Sequence, residues 1–83
     1  MPEPRRVPVR LPKWGVTMDD AVVVEWMVSE GERVESGSVL LTVETDKSIA
    51  EVNSPTSGRL VAIAVHDGDS VRPGDVLAEI EAD

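Results

Sequence analysis

Lysine is scarce in this 83-residue chain, and one of its two lysines, Lys47, has an unusual position. It stands between Asp46 and Ser48, midway between the β-like apolar runs 39–45 and 48–54. The favoured two-residue turns between antiparallel strands require Gly or Asn at positive φ, so lysine gains nothing locally there. Residues that break a local rule without a local gain are expected to be functional. The alternative is a type I turn, in which any polar residue is tolerated.

The two runs also predict how the strands around Lys47 pair. With Asp46 and Lys47 as the loop, Thr45 faces Ser48, and the apolar side chains of both strands fall on one face. The further expected pairs are Glu44–Ile49, Val43–Ala50, Thr42–Glu51 and Leu41–Val52. A slip of one residue would turn the core side chains to solvent, so the pattern specifies this register. We therefore expect Lys47 at the tip of a hairpin.

Other reactive groups are absent from the sequence or isolated in it. The chain has no cysteine, which excludes disulfides, thiolate metal sites and cysteine nucleophiles. Its one histidine, His66, lies in an acidic turn without a base or ligand partner beside it. The acidic residues are scattered and form no isolated carboxylate pair in an apolar setting. We therefore predict no catalytic residue and no metal site.

The charge of the chain limits its partners. Sixteen acidic residues against eight basic ones give a net charge of −8. Such a surface repels nucleic acid and anionic membranes, and it favours partners with basic patches. The first residues lack the apolar core of a signal peptide, and no apolar run approaches a membrane span in length. We expect a soluble, monomeric domain, cytoplasmic in a bacterium or in the mitochondrial matrix of a eukaryote.

The pattern of the whole chain predicts an all-β domain. Valine is abundant, phenylalanine and tyrosine are absent, and valine-rich sequence punctuated by glycine favours strands. No segment has the period of an amphipathic helix. Residues 1–6, rich in proline and arginine, are interpreted as a flexible lead, and residues 7–83 as one domain. The predicted strands are 7–11, 21–28, 39–45, 48–54, 59–65 and 75–81.

An internal repeat indicates how these strands are arranged. Residues 21–46 align with residues 58–83 at an offset of 37, with nine identities in 26 positions. Earlier in the chain the offset is 43, so the first half carries six extra residues within 13–20. Two similar units related by a pseudo-two-fold axis predict two small sheets or a flattened barrel. The same symmetry predicts that Lys47 lies far from the termini.

Five fragments of the chain resemble, in order and spacing, the lipoyl domains of 2-oxo acid dehydrogenase complexes. They are LPKWGVTM, VVEWMVSEGERVESG, ETDK, SPTSG and DGDSVRPGDVLAEI, and the resemblance covers residues 7–83. In that family the fold is a flattened barrel or sandwich of two four-stranded antiparallel sheets with pseudo-two-fold symmetry. The resemblance also implies that the chain is a domain of the dihydrolipoamide acyltransferase component of such a complex.

The resemblance assigns a cofactor to Lys47. It implies that lipoic acid is attached in amide linkage to the ε-nitrogen, which makes the domain a non-catalytic carrier with a swinging arm. In the family the arm is reductively acylated by a thiamine-dependent 2-oxo acid decarboxylase, as in pyruvate dehydrogenase complexes. It passes the acyl group to coenzyme A at the acyltransferase core and is reoxidised by dihydrolipoamide dehydrogenase. The amide removes the lysine charge, and tethering raises the effective concentration of the acyl group.

Further site residues follow from the resemblance. The family's lipoate–protein ligase or lipoyl transferase recognises a glutamate three residues before the lysine and a glycine eleven after it, which match Glu44 and Gly58. Asp46 matches the usual residue before the lysine. The family's surface loop, which helps the decarboxylase recognise its own domain, corresponds to Lys13, Trp14, Gly15, Val16, Thr17, Met18, Asp19 and Asp20. Structural roles stay open beside these: a solvated strand residue for Glu44, a turn glycine for Gly58, and packing over the barrel end for the loop's apolar residues.

A biotin carrier domain is the principal alternative, because the same fold carries biotin on a hairpin lysine. That family flanks the lysine with methionines, whereas the neighbours here are Asp46 and Ser48. A glycine-cleavage carrier also bears lipoyl-lysine but is longer, with helical segments that 83 residues do not accommodate. The flanking residues therefore favour lipoic acid over biotin.

Overall fold

The computed structural model describes residues 5–13, 20–46 and 48–83. All regular structure in these residues is β-strand, which confirms the all-β prediction. The described residues include no helix that is long and apolar enough to cross a membrane. The strands are β1 Arg5–Arg10, β2 Ala21–Trp26, β3 Arg33–Val34, β4 Val39–Glu44, β5 Ile49–Asn53, β6 Gly58–Ile63, β7 Ser70–Val71 and β8 Val76–Ala82.

The eight strands form two four-stranded antiparallel sheets. Their strand orders are β1-β8-β6-β3 and β5-β4-β2-β7, so each sheet takes two strands from each half of the chain. The halves are therefore interleaved, because each half completes both sheets. Within the described residues every strand pairs only with strands of its own sheet, so the sheets do not close into a barrel. Of the two forms that the sequence predicts, the sandwich is confirmed.

The pseudo-two-fold symmetry extends to the hydrogen bonds of the loops. The offset of 37 converts β2, β3 and β4 into β6, β7 and β8, and the offset of 43 converts β1 into β5. The amide of Gly31 donates to the carbonyl of Leu60 at 2.7 Å, and the equivalent bond from Gly68 to Val23 has the same length. The second strand of each half, β2 and β6, also has a register irregularity at an equivalent residue, Val24 and Val61. The repeat in the sequence is thus a repeat in three dimensions.

Aliphatic side chains from both sheets form the core between them. Leu40, Leu41, Leu60, Leu77 and Ile80 have no exposed surface at all. Burial of each such side chain stabilises the fold by about 1.5–3 kcal/mol before the entropic cost of folding is counted. No buried side-chain nitrogen or oxygen of the described residues lacks a hydrogen-bond partner. The polar side-chain groups that are buried in the described residues are therefore satisfied within the domain.

The sequence prediction misses two short strands, and each of the other six strands differs from its predicted range by one or two residues at one end or both. Strands β3 and β7 have two residues each, which is too short for the alternation that marks a strand in a sequence. Strand β1 begins at Arg5, so two residues assigned to the flexible lead are paired in the sheet. Arg5 lies opposite Ala82 and Arg6 opposite Glu81, and Arg6 forms an ion pair with Glu79 at 3.3 Å.

Candidate modification site

Strands β4 and β5 form the hairpin that the sequence predicts. All four predicted strand pairs are present: Glu44–Ile49, Val43–Ala50, Thr42–Glu51 and Leu41–Val52. The side chains of Leu41, Val43 and Val52 are buried in the core, whereas Glu51 on the opposite face is exposed. Because the buried set fixes which face points inward, the strands cannot slip by one residue without exposing it.

The turn between these strands is closed by Thr45 and Ser48. The backbone amide of Thr45 donates to the carbonyl of Ser48 at 2.8 Å. The hydroxyl of Thr45 donates to the same carbonyl at 2.8 Å and accepts from the amide of Ser48 at 3.2 Å. Asp46 does not have positive φ, so the turn is not of the primed types that favour Gly or Asn there. Lys47 itself lies outside the described residues, between these two ends of the turn in sequence.

The sequence pattern pairs Thr45 with Ser48 but does not identify the hydroxyl as the group that closes the turn. The available signal is a threonine at the first position of a four-residue turn, since Ser and Thr hydroxyls bond nearby backbone groups in such places. The hydroxyl of Thr45 bonds both backbone groups of Ser48, so it fixes the chain on either side of position 47.

The surroundings of the turn are acidic and open to solvent. Glu44 and Asp46 are exposed on one side of position 47, and Ser48 and Ile49 on the other. In the described residues no group of His, Cys, Asp or Glu side chains is arranged to hold a metal ion. The turn can therefore present a side chain to another protein.

Gly58 does not lie with Glu44, although the sequence prediction groups the two. Gly58 begins β6 in the other sheet, opposite Val34 and Ala82. It follows the far end of β5, because Asn53 pairs with Val39 at the start of β4 and the 45–48 turn lies at the end of β4. A Cβ at position 58 would overlap the carbonyl oxygen of Glu81 and stand 2.9 Å from the Cα of Ala82. The close approach of β8 explains a glycine here without any contact to a ligase.

The first and last described residues, Arg5 and Asp83, lie at the same end as Gly58. Arg5 is paired with Ala82, and the amide of Asp83 donates to the carbonyl of Ser57 at 3.1 Å. The described residues nearest the termini are thus at the end of the sandwich opposite the 45–48 turn, as the repeat predicts for Lys47.

The predicted partner-recognition loop, 13–20, is described only at its two ends. Lys13 and Asp20 are both exposed, and the carboxylate of Asp20 lies 3.4 Å from the guanidinium of Arg72. Trp14, Gly15, Val16, Thr17, Met18 and Asp19 lie outside the described residues. Asp20 directly precedes β2, which neighbours β4, so the loop ends in the same sheet as the 45–48 turn.

A pocket of about 530 Å³ lies between segments 26–30 and 63–67, which the offset of 37 makes equivalent. It is lined by Trp26, Val28, Ser29, Glu30, Ile63, His66 and Asp67. The indole of Trp26 donates to the carbonyl of Val65 at 2.9 Å, and the carboxylate of Glu30 accepts from the amide of Ile63 at 3.1 Å. The indole of Trp26 and the carboxylate of Glu30 are thus engaged within the domain, and His66 is exposed.

One exposed ion pair shifts the pKa of its members. The guanidinium of Arg33 donates to the carboxylate of Asp83 at 2.9 Å. This hydrogen bond lowers the pKa of Asp83 and raises that of Arg33, with the attraction between the two charges as a further cause. The pair ties β3 to the residue that follows β8, at the end of the domain opposite the turn.

The chain matches one family along nearly its whole length. The family model described as “Biotin-requiring enzyme” matches residues 7–80. The dihydrolipoyllysine-residue acetyltransferase component of the pyruvate dehydrogenase complex from Staphylococcus aureus (strain Mu50) is 37% identical over 73 residues. The corresponding protein of Staphylococcus epidermidis (strain ATCC 35984) is 36% identical over 73 residues. In both comparisons the match covers 88% of this chain and 17% of the relative, so the chain spans about a sixth of the relatives' length.

Two solved structures share the fold. The lipoyl domain of the 2-oxoglutarate dehydrogenase complex from Azotobacter vinelandii superimposes with a TM-score of 0.72 at 27% identity, covering 89% of this chain and 94% of that domain. A single-chain, multi-domain long-chain acyl-CoA carboxylase matches with a TM-score of 0.81 at 24% identity, over 100% of this chain and 8% of that protein. The second likeness is one of fold. Given the family match over residues 7–80 and the 37% identity over 88% of its length, the chain belongs to the biotinyl/lipoyl attachment domain family.

Proposed function

We propose that this chain is a lipoyl carrier domain, with lipoic acid in amide linkage to the ε-nitrogen of Lys47. Membership of the family implies a covalently attached prosthetic group. Both staphylococcal relatives are named as dihydrolipoyllysine-residue acetyltransferases, which supports lipoic acid as that group. The observation that carries the proposal is the β4–β5 hairpin, whose register encloses Lys47 in sequence between two paired strands.

The residues around the turn fit a covalently attached arm. Leu41 and Val43 anchor β4 in the core, and Thr45 bonds Ser48 across the turn, so the described residues on both sides of the attachment position are held in place. Asp46 and Ser48 are exposed, so an arm attached between them has solvent around it rather than a binding cavity. A fixed base with a free arm is what a carrier needs when one group must visit several active sites.

In this proposal the chain supplies the nucleophile and its presentation. The deprotonated ε-nitrogen of Lys47 attacks the ATP-activated carboxyl of lipoate, the activating nucleotide leaves, and the nitrogen loses one proton as the amide forms. When bound, lipoic acid supplies a dithiolane that can accept an acyl group with its own reduction. Glu44 and Asp46 give the enzyme that forms the amide a recognisable acidic flank on one side of the lysine. We assign no ligase contact to Gly58, because its place in β6 is explained by packing against β8.

We further propose that the domain serves a dihydrolipoyllysine-residue acyltransferase of a 2-oxo acid dehydrogenase complex. Its partners would be the lipoate–protein ligase or lipoyl transferase, the thiamine-dependent decarboxylase, the acyltransferase core and dihydrolipoamide dehydrogenase. The names of the staphylococcal relatives and of the Azotobacter domain support this assignment. The 13–20 loop is proposed as the decarboxylase's recognition element, because it ends beside the sheet that carries the turn.

The chain offers a matched pair of variants for testing the attachment site. It contains two lysines, Lys13 and Lys47, so Lys47→Arg and Lys13→Arg each leave one. Co-expression with a lipoate–protein ligase and lipoate should add one lipoyl group to the wild type and to Lys13→Arg, and none to Lys47→Arg. Intact mass followed by peptide mapping measures this. An unmodified wild-type chain under these conditions, or modification that survives Lys47→Arg, would contradict the proposal.

Biotin is the competing prosthetic group, because the family model that matches residues 7–80 is described as “Biotin-requiring enzyme”. The same mass measurement separates the two groups, since lipoylation and biotinylation give different increments. The chain should remain unmodified when it is co-expressed with a biotin–protein ligase and biotin. Stoichiometric biotinylation of Lys47 without lipoylation would replace the proposed function by that of a biotin carrier.

A further inference from the structure

A row of three outward side chains crosses the sheet beside the 45–48 turn. Ile49 of β5 pairs with Glu44 of β4, which pairs on its other side with Val22 of β2. Ile49 is 62% exposed and Val22 44%, and Glu44 is exposed between them. Neighbours in such a row have Cβ atoms about 5 Å apart. We call Ile49, Glu44 and Val22 the apolar–acidic row.

The pseudo-symmetry provides an internal reference for this row. The equivalent positions of the other sheet hold Arg6, Glu81 and Arg59, which pair in the same order. The central glutamate is the same, whereas the apolar–acidic row has aliphatic side chains in place of the two arginines. Because the same backbone positions accept arginine at the other end of the domain, the fold does not require aliphatic residues here. Exposed aliphatic side chains on both sides of Glu44, at positions where the other sheet has arginines, indicate a surface that another molecule covers.

Charge is also segregated between the two sheets. The strands of the sheet that carries the turn contain Glu25, Glu44 and Glu51 and neither lysine nor arginine. The strands of the other sheet contain five arginines and two glutamates. Among the described residues Glu44 forms no ion pair, so its carboxylate is available to a partner. The molecule that fits this row therefore has an apolar surface with a basic side chain opposite Glu44.

We propose that the apolar–acidic row is the docking surface for the enzyme that attaches the lipoyl group, with Ile49 and Val22 as specificity-determining contacts on either side of Glu44. The inference rests on the proposed function, because it needs Lys47 to be the acceptor. It goes beyond that function by assigning the contact to two aliphatic residues in addition to the acidic one.

The reach of the reacting atom selects this enzyme among the proposed partners. Before modification the acceptor nitrogen stands at the end of the four-carbon stem of Lys47, so the attaching enzyme must come close to the turn. Ile49 is two residues from Lys47 in sequence, and Val22 lies two strands from β5, about 10 Å across the sheet. After modification the reacting sulfurs are at the end of a much longer arm, so the enzymes that act on them can reach those sulfurs without approaching the turn as closely.

The test exchanges residues between equivalent positions of the two sheets. The double variant Ile49→Arg/Val22→Arg reproduces in the apolar–acidic row the arginines of the other sheet, and the matched control Arg6→Ile/Arg59→Val makes the reverse change at the far end. Each is assayed with purified lipoate–protein ligase, lipoate and ATP, and kcat/KM is measured by intact mass. We expect the double variant to lose about tenfold or more in kcat/KM, as for two truncated contacts of an interface, and the control to match the wild type. A third variant, Val22→Thr/Ile49→Thr, keeps the β-branched shape, so it tests the apolar contact even where the arginine variant folds poorly.

Three results would overturn the proposal, and they are distinguishable. Equal kcat/KM for the wild type and both row variants removes the docking role but leaves the proposed function intact. Normal lipoylation combined with slow reductive acylation by the decarboxylase assigns the row to that enzyme instead. No lipoylation of the wild type itself removes the proposed function, and the docking surface with it. Slow lipoylation of both row variants, with the far-end control unaffected, supports the proposal.

Discussion

Replacing Gly58 by alanine should destabilise the domain without affecting the recognition of Lys47. The new Cβ would overlap the carbonyl oxygen of Glu81 and approach the Cα of Ala82 at 2.9 Å. Both of these atoms belong to the backbone of β8, so no rotation of a side chain can relieve the overlap. The start of β6 must therefore move away from β8, at the place where β8 also pairs with β1.

Overpacking of this kind costs about 1–3 kcal/mol in the free energy of unfolding, and a contact with backbone belongs at the upper end. For a domain of this size, about 2–3 kcal/mol corresponds to a decrease in Tm of roughly 10–20 °C. The symmetry again supplies the control, because the position equivalent to Gly58 is Ala21, which is buried and accommodates its Cβ. Ala21→Gly should cost only about 0.5–1 kcal/mol, the usual difference between the two residues in a strand.

Thermal and urea unfolding followed by circular dichroism measure both changes, and lipoylation is assayed at a temperature where both variants are folded. We expect Gly58→Ala to be lipoylated with the kcat/KM of the wild type under those conditions. A variant that keeps wild-type stability but is lipoylated slowly would refute this reasoning, because it would show a direct contact between position 58 and the ligase.

Further predictions concern the turn, the far-end ion pair and the core. Thr45→Val keeps the side-chain shape but removes the hydroxyl that bonds both backbone groups of Ser48. The free energy of unfolding measured in urea should fall by about 1 kcal/mol. An unchanged urea midpoint would mean that the hydroxyl does not hold the turn. Asp83→Asn removes a carboxyl whose pKa is lowered by its hydrogen bond to Arg33. A carboxyl whose pKa is lower in the folded state stabilises that state above its unfolded-state pKa and loses this effect as the pH falls through the folded-state pKa. The stability difference between wild type and variant should therefore be present at neutral pH and disappear as the pH is lowered through and below the ordinary value of 3.8; a difference that is independent of pH would exclude this cause. Leu41→Ala leaves a cavity at a fully buried position in β4 and should lower the free energy of unfolding by about 2–5 kcal/mol. Thermal unfolding would then show a strongly destabilised or largely unfolded domain. A small decrease would mean that the core closes over the cavity.

The sequence predicts the register of the β4–β5 hairpin from the Leu41–Val52 pair to the turn, because the two faces of these strands differ in polarity. Leu41, Val43 and Val52 alternate with polar residues, and a shift by one would bury charge, so the register follows from the composition of each face. The repeat likewise predicts the architecture, since equivalent residues must occupy equivalent places. Strands β3 and β7 could not be predicted, because two residues show no alternation and only the neighbouring strands make them part of a sheet.

The candidate site is predicted in its position but not in its surroundings. An isolated lysine in a predicted turn marks the place, whereas the row formed by Ile49, Glu44 and Val22 joins residues from three strands. Val22 reaches this row through a pairing with Glu44 that spans 22 positions of sequence, and no local pattern specifies it. Gly58 is the opposite case, in which a regular spacing in the sequence does not correspond to proximity in the fold. Its spacing from Lys47 suggests a shared site, but the chain crosses to the other sheet and the other end of the domain in between.

The separation of charge between the two sheets gives the domain an electric dipole in addition to its net charge. One face carries glutamates from β2, β4 and β5, and the opposite face carries arginines from β1, β3 and β6. A dipole exerts a torque on a diffusing molecule in the field of a charged partner, so the acidic face turns towards a basic surface before contact. The same torque directs the arginines away from that surface. Encounters are thereby enriched in orientations that bring the 45–48 turn to the partner, and this enrichment should decline as salt screens the field over about 8–10 Å.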